Sequence, residues 1–326
     1  MSAKPNPFSS DATDAQPAAA GDGGLKPVYL WVALVCVLTL FGGWSVHLVR
    51  QLQRDRPPTA VLAPIKPPKS RDYVLAAGSG SNLPLTRALA AMCQANDAQL
   101  RISIDESIGS TGGVRALRDG AIDIGLVSRA LRPAEQESAF VVIPYARVPV
   151  WLAVHPSVAQ ISVSSQQLVD LYSGQKSVWD NGDPAIVLQR ERGDSAQEAV
   201  AAHLPSFGGA NDLAWKSQRF RVLYHDRAMQ DALVGTPGAI GLFDASAALT
   251  QHLQLKSLQF NGISPTLDNV VSGNWPFFKD LAFVVPRSTS AAVKRFLRCV
   301  SEPQGSNIIS QSGAIVLPFA ATEGAR

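Results

Sequence analysis

Ser103-Ile104-Asp105-Glu106-Ser107-Ile108-Gly109-Ser110-Thr111-Gly112-Gly113-Val114-Arg115-Ala116-Leu117-Arg118-Asp119-Gly120-Ala121-Ile122-Asp123-Ile124-Gly125-Leu126-Val127-Ser128-Arg129-Ala130-Leu131-Arg132-Pro133 is the stretch on which the fold turns. Ile102 and Ile104 alternate with polar neighbours, the pattern of a half-buried strand. Gly109 to Gly113 then places small residues and two hydroxyls where a helix begins, and Val114, Leu117 and Ile122 supply its apolar side. A second strand over Asp123–Val127 ends in the polar turn Ser128-Arg129. A helix start presents backbone N–H groups that no carbonyl of the helix can accept, and an anion satisfies them. By itself the loop admits two readings, an anion cradle or a plain strand-to-helix connector with N-cap serines.

The same grammar appears elsewhere in the chain. Tyr73–Ala77 reads as a short buried strand, followed by Gly78-Ser79-Gly80-Ser81-Asn82 and a helix from Leu83 with Leu85, Leu89 and Met92 on one face. Neither turn carries the dinucleotide-binding fingerprint, since Leu83 stands where its third glycine belongs, and neither leads to a phosphate-loop lysine. Further on, Phe140–Ile143 and Val148–Val154 read as two strands. Ser165–Ser173 reads as a helix closed by Gly174, and Ile186–Leu188 as a strand. Arg190-Glu191-Arg192-Gly193-Asp194-Ser195-Ala196 opens another helix, for which Asp194 or Ser195 can serve as N-cap. Strands near Val222–Tyr224, Ala239–Phe243 and Leu281–Val285 alternate with helices over Asp226–Val234 and Ala291–Val300. Such alternation predicts an α/β architecture with mostly parallel sheets.

Composition narrows the function classes. The 326 residues are 46% apolar and 17% charged, with a net charge of +3. That is ample material for a packed core, and no basic run interleaved with aromatics supports nucleic-acid binding. None of His155, His203, His225 and His252 falls in the turn motifs, no Gly-X-Ser-X-Gly elbow occurs, and no Cys/His cluster has metal-ligand spacing. The expectation is a protein without catalytic residues, metal or cofactor. Cys93 and Cys299 could pair in an oxidising compartment, but two buried free thiols are the expectation.

Residues 27–49 contain no Asp, Glu, Lys or Arg, and as a helix would span about 34 Å, enough to cross a bilayer core. They read as an uncleaved transmembrane anchor rather than a cleaved signal, after a disordered tail over 1–26. Residues 50–72 form a basic stalk with Pro57, Pro58, Pro64, Pro67 and Pro68. Near the membrane, Lys26 stands alone on the N-terminal side of the span, against Arg50, Arg54, Arg56, Lys66 and Lys69 on the other. The charge count therefore points the large domain toward the cytoplasm.

Taken together and in order, the three turns give residues 73–320 a family resemblance. The domain resembles the phosphate-binding proteins of phosphate ABC importers, within the type 2 periplasmic binding fold. Gly78–Asn82 looks like that family's first Gly/Ser turn, and Gly109–Gly113 with Asp123-Ile124 and Ser128-Arg129 its second. Leu168–Gly174 with Trp179 is similar to its Leu-X-X-Ile-Tyr/Phe-Ser-Gly helix, and Arg190–Ala196 to its Arg-X-X-Gly-Ser-Gly-Thr turn. Thr236–Gly241 resembles the segment before its return strand.

The resemblance implies a two-lobed α/β fold with a hinge. Lobe one would combine residues 73–148 with 245–320, lobe two would be 149–244, and 321–326 would form a C-terminal tail. It implies a small oxyanion, inorganic phosphate first, bound between the lobes by Ser79, Gly80, Ser81, Gly109, Ser110, Thr111, Ser128, Arg129, Arg190 and Ser195. Asp194 joins this set as a departure. Where the family has Ser-Gly-Thr this chain has Asp194-Ser195-Ala196, and the carboxylate would either accept a hydrogen bond from a protonated phosphate oxygen or repel a dianion. The implied partners are an ABC permease and ATPase at the inner membrane, with the binding domain periplasmic, against the charge count. The contrasting reading is a membrane-tethered sensory or scaffold protein that uses the same fold for another ligand or a protein partner.

Overall fold

The structure is a computed structural model that describes residues 72–319. The expected tail, the membrane segment 27–49, the stalk up to residue 71 and the C-terminal tail 321–326 lie outside the described residues. Among the described residues, no helix is long and apolar enough to cross a membrane.

One strand organises the domain. β4 (Phe140–Val154) is continuous over 15 residues, where the sequence suggested two strands, Phe140–Ile143 and Val148–Val154. Its first part pairs antiparallel with β10 (Phe278–Pro286), from Phe140 opposite Pro286 to Pro149 opposite Phe278. Its second part pairs with β8 (Ala239–Asp244), from Val150 opposite Asp244 to Val154 opposite Ile240. The prolines, which lack an N–H, fit because the register shifts beside Pro144, where Tyr145 is the extra residue.

On the β10 side the sheet continues through β3 (Ile124–Val127), β1 (Tyr73–Gly78) and β2 (Arg101–Ile104). β1 runs parallel to both β2 and β3. On the β8 side it continues through β6 (Ile186–Arg190) and β7 (Arg221–Leu223), again parallel. The result is the expected α/β fold in two lobes, but β4 and β10 pair antiparallel with their neighbours, which corrects the expectation of mostly parallel sheets.

Each half is buried on both faces, as parallel strands under helices must be. Val74, Ala76, Leu126 and Phe283 meet Leu85 and Leu89 of α1 (Leu83–Asn96) and Phe296 of α9 (Ala291–Ser301). Ala77, Val127 and Val284 meet Val114 and Leu117 of α2 (Gly109–Arg118) on the opposite face. Gly113 allows that second packing, because a Cβ there would lie 2.8 Å from Gly78 Cα. In the second half, Leu152 and Ile240 pack with Leu168, Leu171 and Tyr172 of α3 (Ser165–Ser173), and with Phe207 of α5 (Pro205–Lys216).

The segment assigned to lobe one from residue 245 onward behaves differently over part of its length. β9 (Lys256–Phe260) pairs with β4 at Leu152–Val154, and Leu258, Phe260, Val270, Trp275 and Phe277 belong to the second core. The chain thus returns to the first core at β10.

Cys93 and Cys299 form a disulfide with Cα atoms 5.9 Å apart, which corrects the expectation of free thiols. The bond ties α1 to α9, two helices whose pairing no local sequence signal announces.

Candidate functional site

Four helical starts meet at one cavity of about 300 Å³. They are the 3-10 turn at Gly80–Asn82, α2 at Gly109, α4 (Ser195–His203) and α6 (Asp226–Gly235). Each follows the carboxyl end of a strand, the usual ligand position in open α/β sheets.

Their capping differs, and the difference decides what each can offer. The N-cap of α2 is Ile108, whose side chain cannot cap, so the first N–H groups of α2 have no side-chain acceptor. The 3-10 turn also lacks a side-chain cap. In contrast, Asp194 caps α4, with Oδ1 accepting from the N–H groups of Ala196 and Gln197 at 3.1 Å each. The donors of the first lobe are therefore open, while Asp194 engages two of those at the start of α4.

The hydroxyls form one connected set. Ser79 Oγ lies 2.8 Å from Ser128 Oγ, and Ser128 Oγ lies 2.8 Å from Ser195 Oγ. Ser110 Oγ accepts from the Ser128 N–H at 3.3 Å. Ser79, Gly80, Ser81, Gly109, Ser110, Thr111, Arg129, Arg190, Asp194 and Ser195 all line the cavity. Ser128 is fully buried beneath it and connects the lobes through hydroxyls rather than facing the cavity.

The arginines are less available than the sequence implied. Arg129 makes a bidentate pair with Glu135 at 2.7 and 2.8 Å, and the Thr111 hydroxyl also donates to Glu135. Arg129, helped by its hydrogen bonds and charge, holds the Glu135 carboxyl down at about 2. Arg190 is nearly buried. It donates to both oxygens of Glu191 at 2.8 and 2.9 Å and to Asp226 Oδ1 at 3.2 Å, with Asp194 Oδ2 at 3.4 Å. Burial works against its charge, but Asp194, Glu191 and Asp226 outweigh that and raise its pKa. Arg132 pairs with Glu198, and Arg192 with Asp212. Every arginine lining the cavity thus has a carboxylate partner in the same chain.

Sequence reasoning missed three contributors. Asp226 was read only as a helix start, yet its carboxylate faces both Arg190 and Gly80. Glu135 closes a single 3-10 turn, Pro133–Glu135, onto Arg129. Lys279 is buried on β10 and contacts Asp244, Ser81 and Ser195. The signal that could have exposed it is a lone lysine at the edge of an apolar run. Among the described residues, no group of His, Cys, Asp and Glu is arranged to hold a metal ion.

A sequence profile of the PBP superfamily domain matches residues 65–302. The chain belongs to this superfamily. Solved structures show how widely the PBP architecture is shared. A protein from Clostridium perfringens with bound phosphate, assigned as a phosphate ABC transporter substrate-binding protein, superimposes with a TM-score of 0.66 at 20% identity, over 75% of this chain and 99% of that one. A phosphate-binding protein from Stenotrophomonas maltophilia gives 0.57 at 15% identity, over 75% and 90%. The reduced form of OxyR from N. meningitidis gives 0.53 at 15% identity, over 76% and 100%. At these identities the likeness establishes the PBP fold, and the fold alone. No curated protein matches this PBP-superfamily chain.

Proposed function

We propose that this chain is a solute-binding protein that takes a small oxyanion, inorganic phosphate first, between its lobes and serves an ABC-type importer. One observation carries the reading: the uncapped start of α2 and the Gly80-Ser81 turn present unclaimed backbone donors to the same cavity. Helix starts of this kind stabilise negative charge without a metal. Ser79, Ser81 and Ser110 add hydroxyls around the same point. The fold shared with proteins from Clostridium perfringens and Stenotrophomonas maltophilia that are described as binding phosphate supports the choice of ligand. The role is binding, with no residue assigned to catalysis.

The Cys93–Cys299 disulfide suits an oxidising compartment, and this supports a domain on the periplasmic side of the inner membrane, against the charge count. The partners would then be a permease and an ATPase subunit, reached from an anchor at 27–49 through the Pro-rich stalk.

A second reading, a membrane-tethered sensor or scaffold, is favoured by the arginines already paired within the chain. Calorimetry of residues 70–326 with inorganic phosphate separates the two. Micromolar or tighter binding supports uptake. Binding seen only at millimolar phosphate supports the sensor or scaffold, and no heat with phosphate, sulfate or arsenate removes the oxyanion site.

A further inference from the structure

Lys279 lies on β10 opposite Val148 of β4, where the chain passes from one lobe to the other. Its side chain is 4% exposed, and its ammonium sits beneath the cavity rather than in it. It has three partners: Asp244 Oδ1 at 2.8 Å, Ser81 Oγ at 2.8 Å and Ser195 Oγ at 3.0 Å. The Asp244 contact is an ion pair and the two serine contacts are hydrogen bonds, and an ammonium has N–H donors but no acceptor. Both serine hydroxyls must accept from it.

A hydroxyl has one proton to give. Ser81 accepts from Lys279 and lines the cavity, so its proton has two places to go, the cavity or the Asp244 carboxylate beside it. Ser195, Ser128 and Ser79 have three protons between them and two mutual hydrogen bonds to fill. With Ser128 passing its proton to one neighbour and receiving one from the other, a single proton leaves the chain, at Ser79 or at Ser195. Both of those residues line the cavity. The floor therefore has up to two O–H donors for an anion, and Lys279 holds the Ser81 and Ser195 oxygens from below.

We propose that Lys279 is a positioning residue for oxyanion binding: it never touches the ligand, but it fixes the hydroxyl floor of the cleft as donor-only. The inference rests on the oxyanion reading of the cleft. Without the ammonium, Ser81 and Ser195 can turn their protons inward, toward residue 244 or each other, and present lone pairs to the ligand. The ligand form richest in acceptors then suffers most, and a form carrying more protons of its own suffers less.

The test is calorimetry with inorganic phosphate on the wild-type chain, Lys279→Met and Lys279→Met/Asp244→Asn, in slightly acidic and slightly alkaline buffer. The double variant removes both buried charges, so it keeps its fold even where the single variant, with Asp244 unpaired, does not. The expected result is a folded double variant whose phosphate affinity falls at least tenfold. Its loss is severalfold greater in alkaline buffer, where phosphate carries fewer protons. Unchanged or tighter binding by the folded double variant overturns the inference and leaves the phosphate reading standing. An equal loss in both buffers marks a merely structural lysine and also overturns it. A wild-type chain that binds no phosphate removes the reading and the inference together.

Discussion

Asp226 of the second lobe lies directly against Gly80 of the first: a methyl group added at Gly80 would come within 1.9 Å of Asp226 Oδ2. The same carboxylate accepts from Arg190 Nη1 at 3.2 Å. A negative charge of the protein therefore stands beside the backbone donors that an incoming anion needs. Two unit charges about 5 Å apart repel by about 3 kcal/mol at an effective dielectric constant of about 20, and by less where water enters. We expect Asp226→Asn to raise phosphate affinity several-fold to tenfold, measured by calorimetry at constant ionic strength. An unchanged or weaker affinity would place the anion elsewhere in the cleft.

Asp194 gives a second, separable test. It caps α4 through Oδ1 and lies near Arg190 through Oδ2. Serine also caps helices well, whereas alanine in place of a capping aspartate costs about 1 kcal/mol. Asp194→Ser should therefore hold stability within about 1 kcal/mol of wild type in urea titrations while freeing Arg190 for a ligand. Asp194→Ala should lose stability. Stronger phosphate binding in the serine variant is the expected outcome, and weaker binding would mean that Asp194 accepts a hydrogen bond from a protonated oxygen of the ligand.

The Arg129–Glu135 pair sets an acid limit. Glu135 is held at about 2 in the folded chain, below its ordinary value. A carboxyl whose pKa is depressed by folding contributes its stability above its unfolded pKa and loses it as pH falls toward the folded value. The contribution of Glu135 is thus complete near neutrality and disappears between about pH 4.5 and pH 2. Glu135→Gln should be less stable than wild type at pH 7, and the gap should narrow through that window. Thermal melts at several pH values would show it, and a constant gap would break the assignment.

The disulfide closes a loop with a sequence separation of 206 residues. On the chain-entropy account such a loop contributes at most about 5 kcal/mol, and measured values are usually about 2–4 kcal/mol. Reductant should lower the melting temperature, and so should Cys93→Ala/Cys299→Ala, in which reductant has no further effect. A wild-type melt indifferent to reductant would show the bond to be absent or without weight.

Much of this was legible in the chain because it depends on local chemistry. The turns at Gly78–Asn82, Gly109–Gly113 and Arg190–Ala196 announce helix starts, and three helix starts after strands suffice for the fold. What stayed hidden was set by residues far apart in sequence. Nothing near Arg190 reveals that Asp226, 36 residues later, faces it. Lys279 lies 198 residues from Ser81, and a rule based on turns passes over a lysine within a strand. The two strands expected over Phe140–Ile143 and Val148–Val154 are one. A register shift beside Pro144 let one strand continue.

That continuity bears on motion. In β4 the passage between lobes is hydrogen-bonded sheet, with Pro149 opposite Phe278 and Val150 opposite Asp244. A loop can swing freely, but a paired strand can only twist and flex. Opening of the cleft would then resemble the bending of a leaf spring more than the turning of a door, with a restoring force in the backbone. Lys279 sits at the root of that spring, where small displacements are felt at both serines it holds.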